Sequence, residues 1–298
     1  MCVRPLLAWQ CSDRSVVFVD NLRRNDVVRE LQLPCRQCVE CRLERSRLWA
    51  MRCMHEASLH RHNCFVTLTY SDEYLPDRGR LEYLDYQKFM KRFRKRIGDV
   101  RFYMCGEYGE VTWRPHYHAC LFGQDLPDKE FWRITEQGFP MYRSKLLEEI
   151  WPFGQSEIGS VSFESAAYCA RYIMKKVTGD DAENHYRRFD HLGEYQLVPE
   201  FCQMSLKPGI GAGFMDKFAS DAYPHDFIVV NGVKCRPPAY YDRLFLRRSD
   251  RSSTVMEDIE FRRYERGLSR QEDNTPERLY AREQVALAKV NHLKRTLG

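Results

Sequence analysis

The triplet His116-Tyr117-His118 is the first place where this sequence could do chemistry. It opens an alternating stretch, HYHACLF, that is ended by Gly123. Strand side chains alternate between faces, so both imidazoles leave one side while Tyr117, Ala119 and Leu121 leave the other, apolar one. Two neutral imidazoles about 7 Å apart along one strand can share a metal ion. The same pattern also describes two polar residues on an edge strand, so a third group is needed to decide. Residues 100–107, VRFYMCGE, alternate as a preceding strand, and residues 108–114 read as a turn. Antiparallel pairing then brings Glu107 beside the histidines, with Glu110 as a nearby competitor. Two imidazoles, one carboxylate and open positions for water suit Mg²⁺ or Mn²⁺ as a Lewis acid better than a closed structural zinc.

The second candidate is a helix over residues 166–177, capped by Glu164 or Ser165 and stopped near Gly179. At about 100° per residue with Tyr168 at 0°, Tyr172 falls near 40° and Lys175 near −20°. Ala166, Ala170, Ile173, Met174 and Val177 fall between about 140° and 240°, so the tyrosines are expected opposite the packed face. A phenol is a poor nucleophile at its usual pKa of about 10, and a nearby metal, Lys175 or Lys176 would favour its phenolate. Tyrosine attack on a metal-polarised phosphodiester gives a 5′-phosphotyrosine and a free 3′-OH and keeps the bond energy for rejoining. A second tyrosine one turn away could accept the next strand.

Cys35, Cys38 and Cys41 place three thiols within reach of one ion. Tetrahedral Zn²⁺ needs a fourth ligand, for which Cys53, His55, His60, His62 and Cys64 are the candidates. An iron–sulfur cluster, or three reduced cysteines before a helix, are the other readings.

The elements that must position these groups are read from periodicity. Residues 64–70, CFVTLTY, have the composition of a buried strand. Asp85 reads as the N-cap of a helix that runs to Ile97, with Tyr86, Phe89, Met90, Phe93 and Ile97 on one face. Its other face carries Lys88, Lys91, Arg92, Arg94, Lys95 and Arg96, which suits phosphate backbone contacts and predicts salt-sensitive binding. A short strand is expected at residues 16–19, a loosely patterned helix over residues 42–60, a short helix at residues 144–150 and a further strand over residues 157–163. Residues 180–200 show no clear element. Asn231-Gly232 is a hairpin signal. Trp113 and Tyr108, in or beside the turn near the histidines, could stack on unpaired bases.

The chain has 298 residues, room for one large domain or two modest ones. With 43% hydrophobic and 30% charged residues it is neither disordered by composition nor a membrane protein, and no apolar run nears the roughly 20 residues needed to cross a bilayer. The start lacks the apolar region of a signal peptide, so the 12 cysteines are expected reduced or metal-bound in a cytosolic protein. The net charge of +5 hides the one-signed cluster at residues 88–96. Three segments are expected: residues 1–60 with the cysteines, a core over residues 61–236, and a charged, peripheral, mainly helical tail over residues 237–298.

FVTLTY at residues 65–70, CGEYGE with RPHYHACLFG within residues 105–123, and AAYCARYIMKK at residues 166–176 stand in the order of the three motifs of HUH endonucleases. The spacing Y-x-x-x-Y-x-x-K resembles that of rolling-circle replication initiators of small single-stranded DNA bacteriophages. PCRQCVECRLERSRLWAMRCMHEASL at residues 34–59 and MSLKPGIGAGF at residues 204–214 are similar to replication initiators of the gokushovirus branch of the microviruses. The resemblance covers residues 34–245. It implies an α+β fold with a central antiparallel sheet flanked by helices, the histidine strand in the middle and the tyrosine helix across its face. It implies His116, His118 and Glu107 as ligands of Mg²⁺ or Mn²⁺, and Tyr168 and Tyr172 as nucleophiles assisted by Lys175. The implied partners are single-stranded DNA and a supercoiled double-stranded origin in the host bacterial cytoplasm. No helicase P-loop is visible, so a host helicase and host replication proteins are expected. Tyr117 stands where many relatives carry an aliphatic residue. The competing readings are a non-catalytic, zinc-organised DNA-binding protein and a plasmid relaxase or transposase of the same chemistry.

Overall fold

Alternating apolar residues between Asn63 and Phe122 build the sheet on which the candidate site rests. The computed structural model describes residues 2–13, 15–18, 26–177, 179, 181–230, 232–248, 250–269 and 273–292, with no side-chain placement for residues 172–175, 250, 251, 291 and 292. The first elements are β1 (Leu6–Cys11), β2 (Val16–Val17), β3 (Val27–Leu33), α1 (Val39–Ala57), β4 (Asn63–Thr69), α2 (Tyr83–Arg96), β5 (Arg101–Tyr108) and β6 (Pro115–Phe122). Then follow β7 (Glu130–Ile134), β8 (Pro140–Arg143), α3 (Lys145–Ile150), β9 (Ser156–Gly159), α4 (Phe163–Lys175), α5 (Asp181–Tyr186), β10 (Arg187–Asp190), β11 (Gly193–Gln196) and β12 (Phe201–Met204). The chain closes with α6 (Ala212–Phe218), β13 (Ile228–Val230), β14 (Val233–Cys235), α7 (Ala239–Leu246), α8 (Asp250–Leu268) and α9 (Pro276–His292).

Two compact units share these elements. One holds the described residues of Met1–Arg45 and Arg262–Arg295, the other those of Ser46–Phe261. In the first, β2, β1 and β3 form an antiparallel sheet in that order. Arg4 pairs with Glu283 at 2.9 Å, and the Arg29 guanidinium lies over the Tyr264 ring. In the second, a seven-stranded sheet runs β12-β5-β6-β4-β9-β8-β7, and its described pairings are antiparallel. The fold is α+β with a large antiparallel sheet and the histidine strand β6 in its interior, as the resemblance implied.

The two faces of this sheet carry different layers. Val66 and Leu68 of β4, with Tyr117, Ala119 and Leu121 of β6, pack against Tyr86, Phe89, Met90 and Phe93 of α2. Phe65 of β4 and Cys120 and Phe122 of β6 pack against Ala50, Cys53 and Ala57 of α1 and against Ala166, Cys169 and Ala170 of α4. The Tyr117 hydroxyl makes the extra bulk of that position useful. It donates to Glu82 O at 2.8 Å, accepts from Glu82 N at 3.0 Å and lies 3.1 Å from Tyr70 Oη. The buried phenol therefore pins the start of α2 to the middle of the sheet.

Local chemistry moved several expected boundaries. Asp85 does not cap α2: Glu82 does, accepting from Leu84 N, while Asp85 accepts from Tyr70 Oη. The strand expected over residues 157–163 ends at Gly159, because Ser162 and Ser165 exchange backbone-to-hydroxyl bonds that start α4 three residues before Ala166. Residues 180–200 are structured by α5 and the β10-β11 hairpin. Val16–Val17 forms a strand, while Val19 lies outside the described residues. The tail is helical but not merely peripheral: Met256 and Ile259 of α8 share a core with Met51, Met215 and Tyr241.

His55 of α1 belongs to that last region, stacked on Phe214 at 3.8 Å between centroids and 3.0 Å from Tyr241 Oη. Burial pushes its pKa down from 6.5 to about 4. The folded state thus binds fewer protons than the unfolded chain between these values. The contribution of neutral His55 is fully present above pH 6.5 and shrinks as the pH falls towards 4. Between these limits the wild type should lose about 3 kcal/mol more stability than His55→Phe, measured by urea unfolding at each pH. Equal losses in the two proteins would show that His55 is not held neutral.

Candidate active site

The antiparallel register sets Glu107 of β5 directly opposite His116 of β6, and Cys105 opposite His118. On their common face the Glu107 Oε1 atom lies 2.6 Å from His116 Nε2 and 3.1 Å from His118 Nε2. The ligand atoms of all three lie within 4.8 Å of one another. Glu110, the competitor, is exposed and outside this group.

The hydrogen bonds behind the rings test whether a cation fits. His116 Nδ1 is 3.1 Å from the Arg114 carbonyl oxygen, which can only accept, so Nδ1 carries a proton. In neutral His116 the Nε2 lone pair then faces a carboxylate oxygen, and two acceptors at 2.6 Å need a cation between them. His118 Nδ1 is held by Thr67 Oγ1 at 2.9 Å, which turns its Nε2 towards the same point. Glu107 is only 1% exposed. Burial alone would raise its carboxyl pKa, but the bonds from His116 and His118 outweigh it and hold the group at about 2. This donor set, fixed from behind and charged in front, fits a divalent ion.

Tyr168 completes the group. Its hydroxyl lies 3.5 Å from Glu107 Oε1, and its ring stands edge-on to His118 with centroids 5.0 Å apart. The expectation that the tyrosines oppose the packed face of α4 is corrected here. Buried Ser165, Ala166, Cys169 and Ala170 span about 60° to 200° on the wheel with Tyr168 at 0°, so Tyr168 borders the packed arc. These small side chains let α4 approach the sheet closely, and a residue at the arc's edge falls onto β6. The side chains of Tyr172 and Lys175 lie outside the described residues.

Beside His118 and Tyr168 opens a cavity of about 140 Å³. Its walls include Thr67, Arg133, Phe139, Met141 and Glu157, with Ser160, Ser162 and Ser165 at the start of α4. Arg133 holds Glu157 through two bonds of 3.1 Å. Sequence reasoning missed all of these. Only Thr67 left a signal there, since FVTLTY puts it on the Phe65 face.

The other candidates stand elsewhere. The basic side of α2 belongs to the opposite layer of the sheet from the histidines. Arg92 donates to Ile150 O, Arg94 to Val100 O, Arg96 pairs with Glu149 and Lys88 with Asp85. Lys91 and Lys95 are exposed with no partner among the described residues. Trp113 is packed between Tyr108 and His185, with the Arg188 guanidinium 4.0 Å from its ring centroid. Tyr108 is a core residue whose hydroxyl bonds Leu81 N and Val198 O, which corrects its reading as a base-stacking side chain. None of the five side chains expected as fourth zinc ligand joins Cys35, Cys38 and Cys41; Cys2 does. Cys53 and Cys64 are core residues and His55 is stacked on Phe214.

Residues 63–177 match the family described as replication-associated protein ORF2. The chain is 30% identical over 251 residues to "Replication-associated protein VP4" of Bdellovibrio phage phiMH2K, covering 80% of this chain and 75% of that protein. It is 33% identical over 265 residues to "Replication-associated protein ORF2" of Spiroplasma virus 4, covering 81% and 79%. With "Replication-associated protein ORF4" of Chlamydia phage 1 the identity is 29% over 242 residues, 77% of this chain and 56% of that one. No solved structure matches the chain.

Proposed function

The chain belongs to the replication-associated proteins of microviruses, and from that premise we propose that it initiates rolling-circle replication by nicking one strand of the phage origin through tyrosine transesterification, and later rejoins that strand. The observation that carries this reading is the Tyr168 hydroxyl, 3.5 Å from the carboxylate oxygen that both imidazoles share. Glu107, His116 and His118 would hold Mg²⁺ or Mn²⁺, which when bound polarises the scissile phosphodiester as a Lewis acid. The Arg114 carbonyl and Thr67 hold the two imidazoles in the tautomer and orientation this requires.

The phenolic oxygen of Tyr168 or Tyr172 attacks phosphorus, and the bond to the 3′ oxygen breaks. The 5′-phosphoryl end stays on the tyrosine, the phenol gives up its proton, and the 3′ oxygen leaves as a hydroxyl that can prime synthesis. Lys175 favours the phenolate by its charge. One phosphodiester replaces another, so attack by a 3′-OH reverses the step without ATP. Tyr172, one helical turn on, accepts the second strand. Strand opening is left to a host helicase acting with host replication proteins in the bacterial cytoplasm.

The cavity beside Tyr168 takes the unpaired strand next to the cut, while the cations of α2 meet the DNA backbone farther along, on the other layer of the sheet. Trp113 lies at the turn between them. The free cations carry that contact: Lys91→Ala with Lys95→Ala should weaken binding to supercoiled origin DNA. It should also lower the slope of log affinity against log salt by about 1 to 2. An unchanged slope would remove α2 from the DNA path. Cys35, Cys38 and Cys41 are read as ligands of a separate Zn²⁺ outside the reaction.

The function is tested by incubating the full chain with a single-stranded origin oligonucleotide and Mn²⁺. A protein–DNA species that survives SDS and forms only with the divalent ion is expected. Binding without any such species, indifferent to Mn²⁺ but lost on zinc chelation, would overturn the enzyme reading in favour of a zinc-organised DNA-binding protein.

A further inference from the structure

Cys35, Cys38 and Cys41 were legible as a cluster, but a closed site for one tetrahedral ion needs a fourth thiol. Strand pairing supplies it. In the antiparallel β1-β3 pair Leu6 faces Leu33, so the residues just before β1 and those just after β3 leave the same end of that sheet. Cys2 precedes β1, and Cys35 follows β3. Cys38 immediately precedes α1 and Cys41 lies in its first turn, three residues on, which helical geometry turns to the same side.

The four sulfurs meet there. Cys2 Sγ lies 3.6 Å from Cys35 Sγ and 3.8 Å from Cys38 Sγ, and all four Sγ atoms lie within 4.8 Å of one another. A tetrahedron of sulfurs about 2.3 Å from a central zinc has edges of about 3.8 Å. The spacing thus leaves room for a single ion and not for a multi-iron core. Two backbone amides already point at sulfur: Cys35 N donates to Cys2 Sγ and Cys38 N to Cys35 Sγ, each at 3.3 Å. Such donors stabilise the negative charge of a thiolate and orient it for a metal.

We infer that Cys2, Cys35, Cys38 and Cys41 form a closed four-thiolate Zn²⁺ site in which the second residue of the chain is a metal ligand. This deepens the reading of the three-cysteine motif as a zinc site and does not depend on the nuclease chemistry. With every coordination position taken by sulfur, the ion has no place for substrate or water, so its role is to tie the start of β1, the end of β3 and the start of α1 into one unit.

The test uses the full chain expressed with added zinc and an unblocked start, carrying His116→Ala and His118→Ala so that the other site takes up no metal. Elemental analysis should find one zinc per chain, colourless protein and no iron. Cobalt replacement should give the intense sulfur-to-metal charge-transfer absorption of a four-thiolate site. Adding Cys2→Ser should weaken zinc binding by at least about 100-fold in competition with a chromophoric chelator, while Cys235→Ser should leave it unchanged. Circular dichroism at saturating zinc distinguishes lost affinity from lost folding. Zinc below one tenth of an equivalent, iron in its place, or full affinity in the Cys2→Ser protein would overturn the assignment. None of these readouts depends on DNA cleavage, so the site stands or falls apart from the proposed function.

Discussion

Replacing both Tyr168 and Tyr172 with phenylalanine is expected to lower cleavage of the origin strand by on the order of 10⁴-fold or more and to abolish the SDS-resistant protein–DNA species. At Tyr168 the substitution removes one oxygen and keeps the ring that stands edge-on to His118. The lost hydrogen bond to Glu107 is long, at 3.5 Å, so its contribution to stability is small and the fold should survive. Binding to the oligonucleotide should therefore remain while covalent capture disappears, a division that a misfolded variant would not give. Mass spectrometry of the labelled peptide in the single variants then reads which phenol takes the 5′ end. Undiminished covalent product in the double variant would end the tyrosine assignment.

Loss of one imidazole should be nearly as damaging. His116→Ala is expected to reduce cleavage on the order of 10³-fold, because it removes one of three ligands that polarise the phosphate through the ion. A second readout separates this from a positional effect. At a Mn²⁺ concentration of about 100 times the dissociation constant, an ion that binds only the folded chain adds about 2.7 kcal/mol, or roughly 5 to 10 °C in Tm for a unit of this size. The wild type should show that shift and His116→Ala should not. A variant that keeps both the shift and the activity would show that Glu107 and His118 suffice, or that the ion sits elsewhere.

What the sequence revealed follows from how far each signal reaches along the chain. The face shared by His116 and His118 is set by strand alternation, and Glu107 joins it because only a short turn separates β5 from β6. The Asn231-Gly232 hairpin is likewise local. Cys2 was missed because it meets Cys35 only through the β1-β3 register, across 33 residues. Glu56 was missed for a similar reason. This buried carboxylate holds Arg101 of β5 and accepts from Gly211 N at 2.7 Å, tying α1 to the MSLKPGIGAGF loop, yet in the sequence it is one acid in a charged helix. The wheel of α4 misplaced Tyr168 because hydrophobicity ranks Ile and Met above Ala and Cys. The closest approach to the sheet is made by the small residues. The remoteness of the α2 cations could not be read at all, since periodicity says which side of α2 is buried and not which side of the sheet it covers.

The hydroxyl of Tyr117 also guards against a particular misfolding error. A slide of β6 by one residue against its neighbours would exchange its two faces, turning both imidazoles into the aromatic layer under α2 and presenting Tyr117 where the ion belongs. An aliphatic side chain at this position would resist that slide only through packing. Tyr117 would have to abandon Glu82 N, Glu82 O and Tyr70 Oη together, so polar pairing as well as shape selects the one strand alignment in which the protein can act.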